Sequence, residues 1–468
     1  MCGISGIFDP RAAVRREDLL AMARMQAHRG PDGEGAWIAP DARLGLSHVR
    51  LSIVDLSDDA AQPMATADGR AVVCFNGEIY NHAELRTELE EQGVRFTTDH
   101  SDTEVLLRGL LHWGVPATLE RLTGMFAFAY AERDARRMWL VRDRIGIKPL
   151  YFADTPGGGL AFASEAKALL AHPALDARLD HRSFRHYLGF RAVAAPHSLF
   201  EGIAQLGAGE LLELDLVSGR RERRRYWDVL DAAHEAPATL AAAHDQLEEL
   251  LGESVDSRLV SDVPVGLFLS GGVDSAYLLE CIAERKQHPA TFTVTYPGHA
   301  AYDEGTGARD RAAAAQSVHH EVPLDPESYA AALARVAWHQ DEPIAAPVCT
   351  SVYFLARAAR AANVPVVLAG EGADELFIGY RNWIRLRDAE RLNTRVPDLP
   401  GRLLRRGASA LGDPFLPWLS PEREMLRRAA QGQPLFWGGA LDFGEHAKRR
   451  LIGPSVGEIG RASCRERV

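Results

Sequence analysis

The chain has 468 residues, of which 46% are apolar and 25% charged, and this is the composition of a globular protein. Its formal net charge of −11 argues against a nucleic-acid partner, because such binders carry a basic face. The five cysteines have no CxxC spacing, which argues against a disulfide framework or a zinc site. We find no signal-peptide pattern and no apolar run of roughly 18 residues, so we expect a cytoplasmic protein with no membrane contact.

Short β-rich runs separated by turns make up the first part of the chain. RAVVCFNGEIYN and GMFAFAYAERDARRMWLVRD predict strands broken by Asn-Gly, Asp-Gly and Gly-rich turns. The amphipathic segments NHAELRTELEEQG and SDTEVLLRGLLHWG predict helices between the strands. We therefore predict an α+β domain over residues 1–212, in which antiparallel sheets pack against helices.

Residues 213–238 differ in composition from the segments on either side. The stretch SGRRERRRYWDVLDAAHEAPATL is charged and then rich in Ala and Pro, so we predict a linker. The arginine run Arg220–Arg225 could bind nucleic acid, but the acidic charge of the whole chain favours a solvated turn between strands.

Strands and helices alternate from residue 239 onward. VPVGLFLS, ATFTVTY and VPVVLAG predict buried strands, and AYLLECIAERK and SVYFLARAARAAN predict helices. This pattern indicates an α/β domain with a parallel sheet over residues 239–457, which we expect to be cut short. The tail 458–468 has no periodicity and matches the translation of a sequencing-adapter strand, so we expect it to be an artefact.

The loop SGGVDS connects a predicted strand to a predicted helix. Gly271 and Gly272 allow a tight turn at the helix N-terminus, where backbone N–H groups and the helix dipole attract an anion. Ser270 and Ser275 add hydroxyl donors. Asp274 would repel a bare phosphate and therefore indicates Mg²⁺ between the two. Glycines are common at strand–helix turns. However, all six residues of this loop resemble the pyrophosphate loop of ATP pyrophosphatases, and this favours a pyrophosphate site.

A second strand end, LAGEGADELFIGY, brings three carboxylates within five residues. Glu371, Asp374 and Glu375 would repel one another unless a cation or an acid–base task organised them. Ligands of open α/β sheets bind beyond the carboxyl ends of the strands. We therefore predict a ligand site at both loops, and the alternative is a solvated acidic turn.

The cysteine at the second position has a chemical explanation. If the initiator methionine is removed, Cys2 carries a free α-amine of pKa ~8 that can take the thiol proton, so that one residue supplies nucleophile and base. Asn76 and Gly77 in CFNGEIYN offer amide donors for an oxyanion, although an Asn-Gly pair is also typical of a hairpin turn. Arg50 suits the α-carboxylate of an amino acid, and Asp102 suits its ammonium.

These motifs together resemble the glutamine-dependent asparagine synthetases. MCGI, HRGPDGEG, FNGEIYNH, SDTEVLL and RDRIGIKPLYF are similar to the class II glutaminase domain, and DVPVGLFLSGGVDS and LAGEGADELFIGY to the synthetase domain. The resemblance extends from Met1 to about Tyr380. It implies an αββα N-terminal-nucleophile hydrolase sandwich followed by a parallel-sheet ATP-pyrophosphatase domain.

The resemblance also implies a role for each matching position. The implied catalytic residues are Cys2, Asn76, Gly77 and Glu371. The implied glutamine-binding residues are Arg50, Leu51, Ser52, Ile53, Val54, Asn76, Gly77, Glu78 and Asp102. The implied ATP-binding residues are Phe268, Ser270, Gly271, Gly272, Val273, Asp274, Ser275, Val294, Ala369 and Gly370, and the implied Mg²⁺ ligands are Asp274 and Asp374.

The implied reaction joins two sites. Glutamine would be hydrolysed through a Cys2 thioester, and the ammonia would attack an aspartyl-adenylate made from ATP, giving asparagine, AMP and pyrophosphate. The segment 381–453 diverges from housekeeping members, so an amidotransferase acting on another carboxylate, a sugar acid or a peptide, is the alternative. The third hypothesis is a non-catalytic protein of glutaminase fold. For the oligomeric state, we consider a homodimer.

Overall fold

The computed structural model describes residues 1–231, 237–286, 288–395, 425, 428–429, 431, 433–435, 443 and 445–452. The predicted tail 458–468 and the end of the predicted second domain lie outside these residues. The chain forms two compact units. The first comprises Met1–Arg178, Ala195–Pro343 and Cys349–Ala369, and the second comprises Leu179–Ala194, Ile344–Val348 and Gly370–Val468.

The described residues form the following strands and helices. The strands are β1 Gly3–Phe8, β2 Gly33–Ile38, β3 Leu44–Arg50, β4 Met64–Ala65, β5 Ala71–Ile79, β6 Gly124–Glu132, β7 Arg137–Arg142, β8 Tyr151–Thr155, β9 Gly159–Ala163, β10 Ile203–Gln205, β11 Glu210–Asp215, β12 Arg221–Arg225, β13 Val265–Phe268, β14 Ala290–Thr295, β15 Val318–Pro323 and β16 Val366–Leu368. The helices are α1 Arg16–Met25, α2 His82–Glu91, α3 Asp102–Trp113, α4 Val115–Arg121, α5 Ala166–Leu169, α6 His181–Phe190, α7 Leu240–Arg258, α8 Val273–Arg285, α9 Gly305–Ala314, α10 Pro326–Gln340, α11 Val348–Ala361, α12 Ala373–Phe377, α13 Arg381–Arg395 and α14 Glu445–Ile452. Within the described part of the chain, every helix is too short or too polar to cross a membrane.

Two six-stranded antiparallel sheets stack face to face in the first unit. Their strand orders are β10-β8-β9-β1-β3-β2 and β12-β11-β7-β6-β5-β4. Apolar side chains of both sheets, among them Ile4, Phe162 and Leu140, fill the space between them. Helix α1 packs on the outer face of the first sheet and helices α2 to α4 on that of the second. The predicted αββα sandwich is therefore confirmed.

A four-stranded parallel sheet with the order β15-β14-β13-β16 forms the other part of the first unit. Side chains of α7, α8 and α9 pack together with Leu267, and side chains of α11 pack around Phe292. Buried strands in a parallel sheet need such helical cover, which explains the continuous apolar runs in their sequences. The predicted parallel-sheet α/β domain is confirmed.

Two local features differ from the sequence expectation. Asn76–Gly77 lies inside β5 rather than in a turn, because β5 pairs with β6 along its whole length. Arg221–Arg225 forms the edge strand β12 inside the expected linker. The neighbouring strand β11 offsets the arginine charges, since Glu213 lies 3.2 Å from Arg224. The arginine side chains remain mostly exposed, as a solvated segment requires.

The described residues of the second unit include α6, α12, α13 and α14. Asp180 caps α6 by accepting the Ser183 N–H at 2.6 Å. The Phe443 N–H donates to the Leu188 carbonyl at 3.2 Å, and the Lys448 ammonium lies 5.7 Å from the centre of the Phe190 ring. These contacts hold the end of the described chain against α6.

Candidate active site

A cavity of about 340 Å³ opens in the first unit beside the ends of β1, β3 and β5. Among the residues predicted for the glutaminase site, it is lined by Cys2, Arg50, Leu51, Ile53, Val54, Asn76, Gly77, Glu78 and Asp102. Ser52 does not line it, and its N–H donates to the Asp32 carboxylate at 3.0 Å. The other lining residues are Met1, Ala60, Gln62, Phe75, Thr103, Met125, Lys148, Pro365, Val366 and Val367. One enclosed space thus collects residues that are distant in the sequence.

The thiol of Cys2, the residue before β1, is held by backbone groups of Leu51, the residue after β3. The Leu51 N–H donates to Sγ at 3.4 Å, and Sγ lies 3.6 Å from the Leu51 carbonyl oxygen. Arg29 Nε donates to the Cys2 carbonyl at 2.9 Å. Burial raises the pKa of the Cys2 thiol and lowers the pKa of the Met1 amine to about 5. The thiol is therefore neutral at rest and needs a base before it can act as a nucleophile.

Asn76 and Gly77 both lie within β5, and each has a distinct physical property at its position. Asn76 is fully buried, and neither side-chain polar atom has a hydrogen-bond partner among the described residues. A Cβ at Gly77 would lie 2.3 Å from the Met125 carbonyl oxygen, so only glycine allows β5 and β6 to pair this closely. A buried amide without a protein partner carries an energetic penalty that a ligand oxygen can remove.

Arg50 and Asp102 give the cavity one fixed charge of each sign. Arg50, the last residue of β3, donates to the Ser57 carbonyl at 2.7 Å and also to the Asp55 carbonyl. Asp102 begins α3 and accepts the Ile79 N–H at 3.1 Å. Burial raises the pKa of Asp102. Both side chains are fixed by backbone groups before any ligand binds.

Two buried ionisable side chains of the cavity, Lys148 and Glu78, have pKa values shifted from their usual ones. Lys148 is 3% exposed, and burial, followed by the charge of Arg29, lowers its pKa to about 8. Glu78 is 7% exposed, and burial, followed by the charge of Asp102, raises its pKa to about 7. We had not predicted Lys148 as a site residue, although it lies in the motif RDRIGIKPLYF, which pointed to this part of the chain.

Gln62 is a lining residue for which the sequence gives no signal. Its Oε1 accepts the Phe75 N–H at 2.7 Å, and its Nε2 donates to Thr103 Oγ1 at 3.3 Å. It therefore ties β5 to the first turn of α3, directly beside Asn76 and Asp102. A single glutamine in a polar loop cannot be recognised from spacing as such a bridge.

The SGGVDS loop lies beyond the carboxyl end of β13, as predicted. Ser270 Oγ and Ser275 Oγ are 2.9 Å apart, and the Ser270 N–H donates to Ser275 Oγ at 3.0 Å. The Gly271 N–H donates to the Glu304 carboxylate at 2.8 Å. A protein carboxylate therefore occupies one of the loop amides that would attract an anion. We had not predicted Glu304 as a site residue.

The other residues predicted for ATP and Mg²⁺ lie at strand ends and on two helices. Phe268 ends β13, Val294 lies near the end of β14 and Ala369 follows β16. Val273 and Asp274 form the first turn of α8, and Asp274 belongs to the first unit. Gly370, Glu371 and Asp374 belong to the second unit, where Asp374 lies in the first turn of α12. No group of three or more His, Cys, Asp or Glu residues in the described part of the chain could hold a metal ion.

Comparison with known proteins identifies both parts of the chain. A family model for a glutamine amidotransferase domain matches residues 1–227, and a model for asparagine synthase matches residues 246–445. Asparagine synthetase (glutamine-hydrolysing) 1 of Bacillus subtilis is 35% identical over 464 residues, which is 97% of this chain and 70% of that protein. Asparagine synthetase B (glutamine-hydrolysing) of Escherichia coli is 31% identical over 411 residues, which is 84% of this chain and 67% of that protein.

A Mycobacterium tuberculosis protein, provisionally named a glutamine-hydrolysing asparagine synthetase, is 34% identical over 97% of this chain and 71% of its own length. The chain thus spans about 70% of the length of these relatives. It belongs to the glutamine-hydrolysing asparagine synthetase family, as the motifs predicted. The domain boundaries 1–212 and 239–457 remain predictions.

Proposed function

We propose that this protein makes asparagine from aspartate, with glutamine as the nitrogen donor and ATP as the activating substrate. The observation that carries the proposal is the cavity that Cys2 and the unpartnered amide of Asn76 line together with Arg50 and Asp102. This set supplies a nucleophile, an oxyanion donor and two charges that complement an amino acid. Membership of the family supports asparagine synthesis as the overall reaction.

The proposed glutaminase half-reaction uses groups already held in place. Arg50 binds the α-carboxylate of glutamine, and Asp102 binds its α-ammonium. After removal of Met1, the Cys2 amine takes the thiol proton, and the thiolate attacks the side-chain amide carbon. The Asn76 amide and the Gly77 N–H donate to the oxyanion. Collapse to a thioester breaks the carbon–nitrogen bond, and the departing nitrogen takes the proton held by the amine and leaves as ammonia. Water then hydrolyses the thioester and releases glutamate.

In the proposed synthetase half-reaction, ATP binds beyond the carboxyl ends of β13 and β16. The strand order reverses between these two strands, and a crevice at this position is where parallel sheets bind ligands. The Ser270–Ser275 loop holds the pyrophosphate, and Phe268, Val294, Ala369 and Gly370 contact the nucleotide. Glu371 assists the attack of ammonia on the aspartyl-adenylate.

We propose Mg²⁺ as the metal ion of this half-reaction. Mg²⁺ is commonly held by one or two carboxylates together with substrate phosphates, and Asp274 and Asp374 are two carboxylates at helix starts. When bound, the ion neutralises phosphate charge. We further propose a cytoplasmic location, which the unpaired thiols of the described cysteines support, and a homodimer, which size-exclusion chromatography tests.

Two assays test the proposed function. Glutamate release from glutamine should occur in the wild type and disappear in Cys2→Ala, because the thiol forms the covalent intermediate. Pyrophosphate release should require ATP and aspartate together, and it should persist in Cys2→Ala when ammonium chloride replaces glutamine. Pyrophosphate release with another carboxylic acid but none with aspartate would overturn asparagine as the product.

A further inference from the structure

A chain of ion pairs in the first unit connects the nucleophile to the end of α10. Arg29 donates to the Cys2 carbonyl and, through Nη1, to Glu165 Oε1, both at 2.9 Å. Lys167 Nζ contacts the other oxygen of Glu165. Asp341 Oδ1 lies 3.0 Å from Lys167 Nζ, and Asp341 Oδ2 accepts the Lys167 backbone N–H at 3.0 Å. Four charged side chains therefore join residue 2 to residue 341.

These side chains are buried and their charges balance. Glu165 and Lys167 are each 5% exposed, and the two cations, Arg29 and Lys167, match the two anions, Glu165 and Asp341. Burial alone would raise the pKa of Glu165, but its bonds to His28, Arg29 and Lys167 hold that pKa at about 2. Glu165 is therefore charged, and removing one of its partners leaves an uncompensated charge in a region of low dielectric constant.

Aromatic contacts fix the far end of this chain of ion pairs. The Trp338 and His339 rings of α10 lie 5.0 Å and 4.7 Å from the His28 ring, and Lys167 Nζ lies 4.8 Å from the Trp338 ring centre. Asp341 caps α10 in the left-handed conformation, with φ of +58°. A residue other than glycine needs support in that conformation, and both Asp341 carboxylate oxygens are held by Lys167.

We propose that Lys167 and Asp341 are positioning residues for the Cys2 thiol. They orient Glu165, Glu165 orients Arg29, and Arg29 fixes the carbonyl of the residue that bears the thiol. Neither residue lines the glutamine cavity, so their effect on the reaction passes through Arg29. A residue of the asparagine synthase segment thereby sets the rate of glutamine hydrolysis. This inference rests on the proposed function, because it concerns the same nucleophile.

The test removes one charge of the ion-pair chain at a time, at positions remote from the thiol. It compares the effect of each substitution with that of a substitution in another ion pair. Lys167→Met removes the buried cation at similar length, and Asp341→Asn keeps an acceptor for the Lys167 N–H but removes the charge. The control is Arg108→Met, because Arg108 pairs at 2.8 Å with the buried Glu104 and this pair has no contact with Cys2, although the Arg108 side chain is 25% exposed. The measurements are kcat and KM for glutamine hydrolysis, thermal unfolding, and the rate of Cys2 alkylation by iodoacetamide, followed by peptide mass spectrometry.

We expect kcat to fall at least tenfold in Lys167→Met and in Asp341→Asn, with KM changed less than threefold, because displacement of a reacting group by about 1 Å can lower a rate a hundredfold. The rate of Cys2 alkylation should change in the same two variants and return in Lys167→Arg. Arg108→Met should leave both quantities near wild type. The Lys167→Met/Asp341→Asn double variant should lose no more than the worse single variant, because the two residues act as one unit.

An unchanged kcat in both variants overturns the inference, and so does a loss that Arg108→Met reproduces at equal thermal destabilisation. Additive losses in the double variant also overturn it. A wild type that alkylates at Cys2 but does not hydrolyse glutamine would defeat the proposed function alone. The alkylation rates would then still test the inference: a changed rate in Lys167→Met and Asp341→Asn supports a positioning role for the two residues, and an unchanged rate contradicts it.

Discussion

The carboxylate of Asp262 accepts the backbone N–H of Asp55 at 2.7 Å. The same oxygen lies 2.6 Å from His100 Nε2, and the Asp262 N–H donates to the Ile53 carbonyl at 3.0 Å. Asp55 and Ile53 belong to the loop that follows β3 and lines the glutamine cavity, and the Asp55 carbonyl accepts a bond from Arg50. The segment that leads into β13 therefore supports the loop that surrounds the proposed carboxylate-binding arginine.

Replacing Asp262 should weaken glutamine binding. In Asp262→Ala the loop loses the hydrogen bond from the Asp55 N–H to a carboxylate that is partly exposed, and His100 loses its contact with the same oxygen. We therefore expect a loss of about 1 kcal/mol and a rise of about fivefold in the KM for glutamine. The exposed Asp256, which pairs with Arg285, is the control, and Asp256→Ala should leave KM unchanged. Steady-state kinetics of glutamine hydrolysis measures both, and equal KM values in the two variants would contradict the prediction.

Asn76→Ala should separate activity from stability. The buried amide forms no hydrogen bond with the described residues, so its removal breaks none, and the free energy of unfolding should change by less than about 1 kcal/mol. The oxyanion loses a donor, and kcat should fall by about 10²–10³-fold. Denaturant unfolding and glutamine hydrolysis provide the two measurements. A large loss of stability with modest loss of kcat would mean that Asn76 serves the fold.

Gly77→Ala should disrupt the strand pairing itself. The added Cβ would lie 2.3 Å from the Met125 carbonyl oxygen and 2.7 Å from the Phe126 Cα, and neither backbone atom can move without opening the β5–β6 ladder. We expect a loss of about 2–3 kcal/mol in the free energy of unfolding, together with loss of activity. Gly93→Ala offers a comparison, since it changes a left-handed glycine with open space around it. Equal stability in both variants would contradict the steric argument.

The raised pKa of Glu78 predicts a pH-dependent stability. Burial and Asp102 raise this pKa from 4.5 to about 7, while Lys148 and Arg258 oppose the shift. The folded protein therefore binds a proton more tightly than the unfolded chain between these values. Stability relative to Glu78→Gln is greatest below about pH 4.5 and is lost as the pH rises through about 7, by about 3 kcal/mol in total.

Denaturant unfolding of the wild type and Glu78→Gln at pH 5 and pH 8 tests this difference. Glu91→Gln, at the exposed end of α2, controls for the general effect of removing a carboxylate. The stability difference between the wild type and Glu78→Gln should grow with pH in favour of the variant, whereas Glu91→Gln should track the wild type. A constant difference would place the Glu78 pKa near its usual value.

Removing the Glu304 charge should strengthen anion binding at the SGGVDS loop. Its carboxylate accepts the Gly271 N–H and would repel a phosphate at the same amide. We expect Glu304→Gln to lower the Kd for pyrophosphate about fivefold, as measured by calorimetry, because one negative charge is lost from a solvated site. Asp310→Asn on α9 removes a charge away from the loop amide and serves as the comparison. Weaker binding in Glu304→Gln would show that the carboxylate helps to hold the anion.

The elements with strong periodicity could be predicted from the sequence. Helix α3 follows the stripe in SDTEVLLRGLLHWG, and β6 and β7 follow the apolar runs around Phe128 and Leu140. Cys2, Arg50, Asn76, Gly77 and Asp102 could be named from their own chemistry, whereas residues 51–54 and Glu78 were implied only by the family resemblance. The cavity then gathers all of them except Ser52.

The remaining features depend on contacts that no local pattern records. The turn propensity of Asn76–Gly77 is overridden by pairing with β6, which lies far along the chain. Glu304 reaches Gly271 across 33 residues, and Asp341 reaches Lys167 across 174. Lys148 could be placed in a motif, but its burial beside Glu78 arises only from the packing of several strands. Such tertiary contacts are set by the whole fold rather than by spacing.

The arginine-rich strand β12 has a practical consequence for handling the protein. It is the outermost strand of its sheet, so its free edge could pair with a strand of another molecule. Arg223, Arg224 and Arg225 are exposed along that strand, and the part of their charge that neighbouring carboxylates do not offset repels a second copy. High salt shortens the range of this repulsion to a few ångströms. Concentrated salt solutions should therefore favour aggregation through this edge, and low-salt buffers should keep the protein dispersed.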